Sequence, residues 1–175
     1  MLAFDLETTG LDPVRDRITC AAVYDPACGI ERIFFFQEAR ESEEFMRLLD
    51  DADRLCAFNG ADFDIPFIAA QLGASLERQR AWRLKLHDVY VACRWGLGVT
   101  FPLQCLLEAN NLQGKTGTGC DAIRLFRQGL MSDLGEYCLH DTRMTHQVSC
   151  LPSIVLPRCE SIRMLPDGVF CQYSE

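Results

Sequence analysis

An α/β fold, a mixed central sheet flanked by helices, is predicted by three observations. Strand-like runs crowd the first forty residues, helical periodicities dominate the remainder, and turn residues separate nearly every segment. The 175 residues, 49% of them apolar, suffice for one compact domain with a sizeable core.

Residues 2 to 7, 17 to 25 and 30 to 37 read as consecutive strands, joined at Asp12-Pro13 and across Asp25-Pro26-Ala27-Cys28-Gly29. Short connections of this kind make an antiparallel meander. A helix is expected over 41 to 52, with Ser42 as N-cap and Phe45, Leu48 and Leu49 on its inner face. Arg54 to Phe58 reads as a strand, Asn59-Gly60 as a turn, and Asp62 to Leu72 as a helix capped by Asp62. Leu84 to His87 is a further short strand, with a helix starting near Asp88 and others near 102 to 110, 119 to 128 and 131 to 149. Past Cys150 the pattern changes: Pro152, Pro157 and Pro166 break helices, and Leu165 to Val169 reads as a hairpin turn. Residues 1 to 150 are thus the expected domain, and 151 to 175 an extension packed on it or bound to a partner.

The chemistry starts at Phe4-Asp5-Leu6-Glu7-Thr8-Thr9-Gly10. Side chains two apart in a strand share a face, so Asp5 and Glu7 present two carboxylates over one small volume. A divalent cation relieves such crowding. Two cations about 3.5–4 Å apart can activate a water and stabilise a leaving oxygen, so this opening points to phosphoryl chemistry. A second segment, Asn59 to Phe67, puts Asp64 early in a helix, where the backbone dipole favours a carboxylate. In a third, Tyr137 and Asp141 stand four apart and share one helical face.

These three segments resemble motifs I, II and III of the DEDD 3′–5′ exonucleases, whose fold is RNase H-like. Glu136 occupies the position of the histidine subgroup's His, while Tyr137-x-x-x-Asp141 matches the tyrosine (DEDDy) subgroup. Asn59 to Phe67 is most similar to proofreading domains of family-B DNA polymerases and related small exonucleases. The resemblance implies that Asp5, Glu7 and Asp141 hold the metal that binds the nucleophilic water. It makes Asp5 a bridge to a second metal held by Asp64, and Tyr137 a hydrogen-bonding partner of the nucleophile. It further implies two Mg2+ or Mn2+ ions as cofactors. The expected substrate is the 3′ end of single-stranded DNA, or RNA, released as nucleoside 5′-monophosphates, with Leu6, Thr8 and Thr9 contacting the terminal nucleotide and Asn59 beside them. A polymerase or another replication or repair protein is the implied partner. The rival is a catalytically silent scaffold of the same fold; a nucleotide phosphohydrolase leaves Tyr137 and Asp141 unexplained.

A net charge of −8 runs against a basic nucleic-acid footprint. Locally, Arg78, Arg80, Arg83, Lys85 and His87 form a basic run, either a binding patch or a solvated helix face. Ala109 to Thr116 satisfies a relaxed phosphate-loop pattern, but a helix is expected before it where a phosphate loop needs a strand. Lys115 in this loop is either a phosphate contact or part of a plain connector. Trp82 and Trp95 could each stack on an unpaired base, and packing is the expectation for Trp95. The ten cysteines form no C-x-x-C pair and read as reduced, packed thiols. No run has the length of a membrane span, and Asp5 and Glu7 interrupt any leader, so an intracellular, reducing compartment is expected.

Overall fold

A computed structural model describes residues 1–114, 117–157 and 163–164. Strands β1 (Leu2–Thr8), β2 (Ile18–Asp25) and β3 (Ile30–Phe34) are followed by helix α1 (Ala39–Asp51), β4 (Leu55–Ala57), α2 (Asp64–Leu72), α3 (Leu76–Lys85) and β5 (Leu86–Asp88). Then come α4 (Val89–Leu97), β6 (Val99–Thr100), α5 (Leu103–Ala109), α6 (Gly119–Arg127), α7 (Met131–Ser149) and β7 (Arg163–Met164). Five strands make the main sheet in the order β3-β2-β1-β4-β5. The first three pair antiparallel, as their short connections require, and β4 and β5 add in parallel.

Burial explains why β1 lies in the middle. Leu2, Phe4 and Leu6 pack on one side of the sheet with Phe45, Leu49, Ile65, Phe67 and Trp82. The register pairs Asp5 with Ala22 and Glu7 with Cys20, and directly paired residues share a face. Both carboxylates therefore lie on the opposite side, where Cys20 and Ala22 pack with Leu134, Tyr137 and Cys138 of α7. Gly135 lets α7 come down on β3, because a Cβ there would stand 2.9 Å from the Phe35 ring and 3.0 Å from Ile33.

Several expectations are corrected. Strand β3 stops at Phe34, since Phe36 takes a left-handed φ of 55° and turns its ring onto Phe45. Helix α1 starts at Ala39 because Glu38 and Glu41 form a capping box, with the Glu38 N–H donating to Glu41 Oε2 at 3.2 Å; Ser42 lies inside the helix. Met46 joins Phe45 and Leu49 on the buried face. Asp62 does not cap α2. It sits in the preceding turn and pairs with Arg94 at 3.3 Å, and the helix begins at Asp64.

Helix α3 was not foreseen as an element, and it absorbs the start of the expected strand at 84 to 87. Ser75 caps it, its Oγ accepting the Arg78 N–H at 3.2 Å. Three of its basic side chains join it to neighbouring elements. Arg78 bonds to Glu43 and Asp50, Arg83 donates to the Ala61 carbonyl, and Lys85 donates to the carbonyls of Asp50 and Ala52, each at 2.6 Å. Trp82 is fully buried, with its Nε1 donating to Asp50 Oδ1 at 2.7 Å. Trp95, expected to pack, is 58% exposed.

Ala109 ends helix α5 and no strand precedes the loop after it, so the phosphate-loop pattern has the wrong context. Lys115 and Thr116 lie outside the described residues, as does the expected turn at 165 to 169. After α7 the chain returns to the helical side: Leu151, Ile154 and Leu156 pack against the cluster containing Leu106, Leu107 and Val148. Asn110 ties this segment down through two 2.8 Å bonds to the Val155 backbone. Cys20, Cys56, Cys93 and Cys138 are buried thiols, and burial pushes Cys56 up to about 12, beyond the reach of redox chemistry at neutral pH. Among the described residues, no helix is long and apolar enough to cross a membrane.

Asp50 joins α1 to α3, so Asp50→Ala strands the buried Trp82 N–H. We expect a loss of about 1–3 kcal/mol in urea unfolding. The same substitution in a Trp82→Phe background is expected to cost less, because no indole donor is left unpaired.

Candidate active site

Three distant stretches of chain meet at one cleft of about 600 Å3. Strand β1 supplies Asp5, Leu6, Glu7 and Thr8, and helix α7 supplies Tyr137 and Asp141. Phe58 and Phe63, on either side of the Asn59-Gly60 turn, form apolar walls. The four-residue spacing of Tyr137 and Asp141 puts both on the side of α7 that faces the sheet. Both are buried, at 6% and 3% exposure.

Asp64 does not line this cleft; it lies in the first turn of α2, 2% exposed, and close enough to Asp5 to feel its charge. Its Oδ1 is buried without a hydrogen-bond partner. Burial raises its pKa well above the usual carboxylate range, and the charges of Asp5 and Asp88 raise it further, against donation from the backbone N–H groups of Asp64 and Leu6. The loop ahead of it is tightly built. Asn59 adopts φ 68°, and a Cβ at Gly60 would lie 2.4 Å from that of Ala57.

Asp88 holds this loop from the neighbouring strand. Its two carboxylate oxygens accept the N–H groups of Asn59 and Ala61, both at 3.0 Å, and Oδ1 also caps α4 through Val91 at 3.1 Å. The sequence reading had Asp88 only as the start of a helix. An Asp at a helix start marks a cap, but nothing local in the chain could show that the same carboxylate reaches a loop 27 residues away.

Cys138 was also missed. Its Sγ lies 3.6 Å from the Asp5 carbonyl and 3.9 Å from Asp5 Oδ2. Among the described residues, ligand atoms of Asp5, Glu7 and Cys138 fall within 4.8 Å of one another. Burial, then the adjacent Cys20 thiol, pushes Cys138 well above its ordinary value, so it stands beside Asp5 as a protonated thiol. The Tyr137 phenol is likewise pushed up, first by burial and then by Asp141, Glu7 and Asp5. At neutral pH it keeps its proton.

Not every expected contact reaches the cleft. Thr9 turns to the β1–β2 hairpin, its Oγ1 accepting the Arg17 N–H at 2.9 Å, and Thr8 Oγ1 donates to the Gly10 carbonyl at 2.6 Å while still lining the cleft. Asn59 is held behind Phe58 by Asp88, and Lys115 is outside the described residues.

The donor set suits hard divalent cations. Oxygen ligands converge from separate elements, and the unpartnered buried oxygen of Asp64 is what a bound cation would satisfy. Because the folded pKa of Asp64 is raised, its protonation contributes stability that is full below the ordinary value of 3.8 and is lost as pH rises through the folded value. In chelator, we expect wild type to lose unfolding free energy relative to Asp64→Asn as pH rises above the ordinary value of 3.8, and Mg2+ or Mn2+ to flatten that difference. Asp88→Ala is expected to cost about 2–4 kcal/mol in urea unfolding, the sum of a lost cap and two stranded loop donors.

Comparison with solved structures places the fold among known ones. The family B DNA polymerase from the hyperthermophilic archaeon Pyrobaculum calidifontis superposes with a TM-score of 0.64 at 20% identity, over 83% of this chain and 23% of the polymerase chain. E. coli Exonuclease I in complex with a 5cy-dT13 oligonucleotide gives a TM-score of 0.48 at 18% identity, over 75% of this chain and 41% of that one. The chain thus spans less than half the length of either. Curated protein sequences yield no match. A family model described as the RNase_H superfamily matches residues 2–149, the whole span from β1 through α7, and the chain belongs to that superfamily.

Proposed function

We propose that the protein is a metal-dependent 3′–5′ exonuclease of the DEDDy type. It acts on single-stranded nucleic acid, DNA in preference to RNA, and releases nucleoside 5′-monophosphates. One observation carries this reading: Asp5, Glu7, Tyr137 and Asp141 line one cleft, and Asp64 of a third element is buried within reach of the Asp5 charge, one of its oxygens left without a hydrogen bond. Ordinary packing has no use for that many carboxylates in one place.

Asp5, Glu7 and Asp141 would hold one divalent cation, with Asp64 and the bridging Asp5 holding a second. When bound, such a pair supplies Lewis acidity and a water of lowered pKa. The chain supplies the rest. Tyr137 retains its phenol proton and can donate a hydrogen bond to the attacking water or a phosphate oxygen. Leu6 and Phe63 form walls against which a terminal sugar and base can lie, with Thr8 beside them. Cys138 packs beside Asp5 as a neutral thiol, which limits the rotamers open to that carboxylate. A polymerase or another replication or repair protein is the proposed partner, and the buried, unpaired thiols support a reducing compartment.

The test is a time course on 5′-labelled single strands of DNA and RNA of one sequence, with Mg2+, Mn2+ or chelator. We expect a ladder that shortens one nucleotide at a time, requires metal and is abolished in Asp5→Ala. Tyr137→Phe is expected to slow it about 10²-fold or more while leaving strand binding nearly intact. Binding without shortening of either strand would identify a catalytically silent scaffold instead.

A further inference from the structure

Trp95 lies outside the buried core clusters of the described residues. It is 58% exposed, whereas the chain's other tryptophan is fully buried. It is nevertheless held. The Arg94 guanidinium lies over the ring, 5.1 Å from its centroid, and Arg94 is pinned to Asp62 at 3.3 Å. Asp62 immediately precedes Phe63, which lines the cleft. Five residues earlier on α4, the Tyr90 ring packs 5.1 Å from that of Phe58, another wall of the cleft. Arg94 therefore ties the exposed indole to the segment that carries Phe63, and Tyr90 fixes α4 itself against Phe58.

The chemistry of this rim selects its occupant. An exposed indole backed by a guanidinium offers a π face for a base and a positive charge for the neighbouring phosphate. Asp62 neutralises Arg94 only in part, both side chains being 35% exposed to water. The basic run on α3 lacks the aromatic half of such a platform, because its one ring, Trp82, is fully buried, and Arg78, Arg83 and Lys85 already bond to other parts of the fold. A protein partner would need a broader apolar surface than Trp95 with Leu97 provides.

We propose that Trp95, backed by Arg94, is a stacking platform for an unpaired base of a single strand whose end lies in the cleft. The assignment of that end as the 3′ end rests on the exonuclease reading; the platform itself does not.

The test measures affinity in chelator for oligo-dT and oligo-U, from the dinucleotide to about eight nucleotides. Trp95→Ala is expected to weaken binding of the longest strands by roughly 5- to 100-fold, with the deficit growing with length. Strand binding is also expected to quench tryptophan emission in wild type, and Trp95→Phe, which keeps only the buried Trp82, to lose the quench. A deficit confined to one series assigns the platform to that sugar. Equal affinity of wild type and Trp95→Ala at every length overturns the proposal, as does failure of wild type to bind either series. Trp95-dependent binding without any hydrolysis in metal sinks the exonuclease and leaves the platform standing; hydrolysis with Trp95-independent binding does the reverse.

Discussion

Helix α7 lies directly on the small-residue face of β1 and β2, and the cleft depends on that contact. Cys20 and Ala22 on the sheet leave room for a helix at close range, and Gly135 removes the one Cβ that would hold it away from β3. The helix brings Tyr137, Cys138 and Asp141 over Asp5 and Glu7. Larger residues at positions 20, 22 or 135 would lift α7, and the two acidic segments would no longer share a volume. Packing here comes before electrostatics, because only a close-packed interface can force like charges together.

The charges so gathered carry a cost that the fold meets locally. Asp64 is buried, flanked by Asp5 and Asp88, and driven towards its neutral form. Asp88 itself is raised by burial, yet three backbone donors surround it and keep the Asn59 to Ala61 loop in place. A rigid loop is what allows a strained residue such as Asn59, at φ 68°, to persist beside the cleft. Cations bound among the carboxylates would remove much of the remaining repulsion.

The same logic changes the meaning of net charge. The chain carries a net charge of −8, and three members of its densest basic run, Arg78, Arg83 and Lys85, join α3 to α1 and to the Asp64 loop. On the proposed reading, attraction for a nucleic-acid strand falls to groups close to the cleft. Arg94, stacked on Trp95 and tied to Asp62, is such a group.

Much of this was legible in the chain. Alternating and helical patterns determined the three antiparallel strands and the full extent of α7, because those periods reflect burial on one face. Asp5, Glu7, Tyr137 and Asp141 could be paired off by local geometry alone. What the chain left open was everything set by distant neighbours. A basic run reads alike on a solvated face and at an internal joint, so the destinations of Arg78 and Lys85 appear only once α1 lies alongside. Trp95 departs from its expected packing for the same reason: burial depends on what packs against a ring, and Asp50 waits for Trp82 while Trp95 stays 58% exposed. Cap and metal-site residues look identical in sequence, and only the tertiary structure separated Asp62, Asp64 and Asp88 into an ion pair, a buried site carboxylate and a clasp for the loop between them.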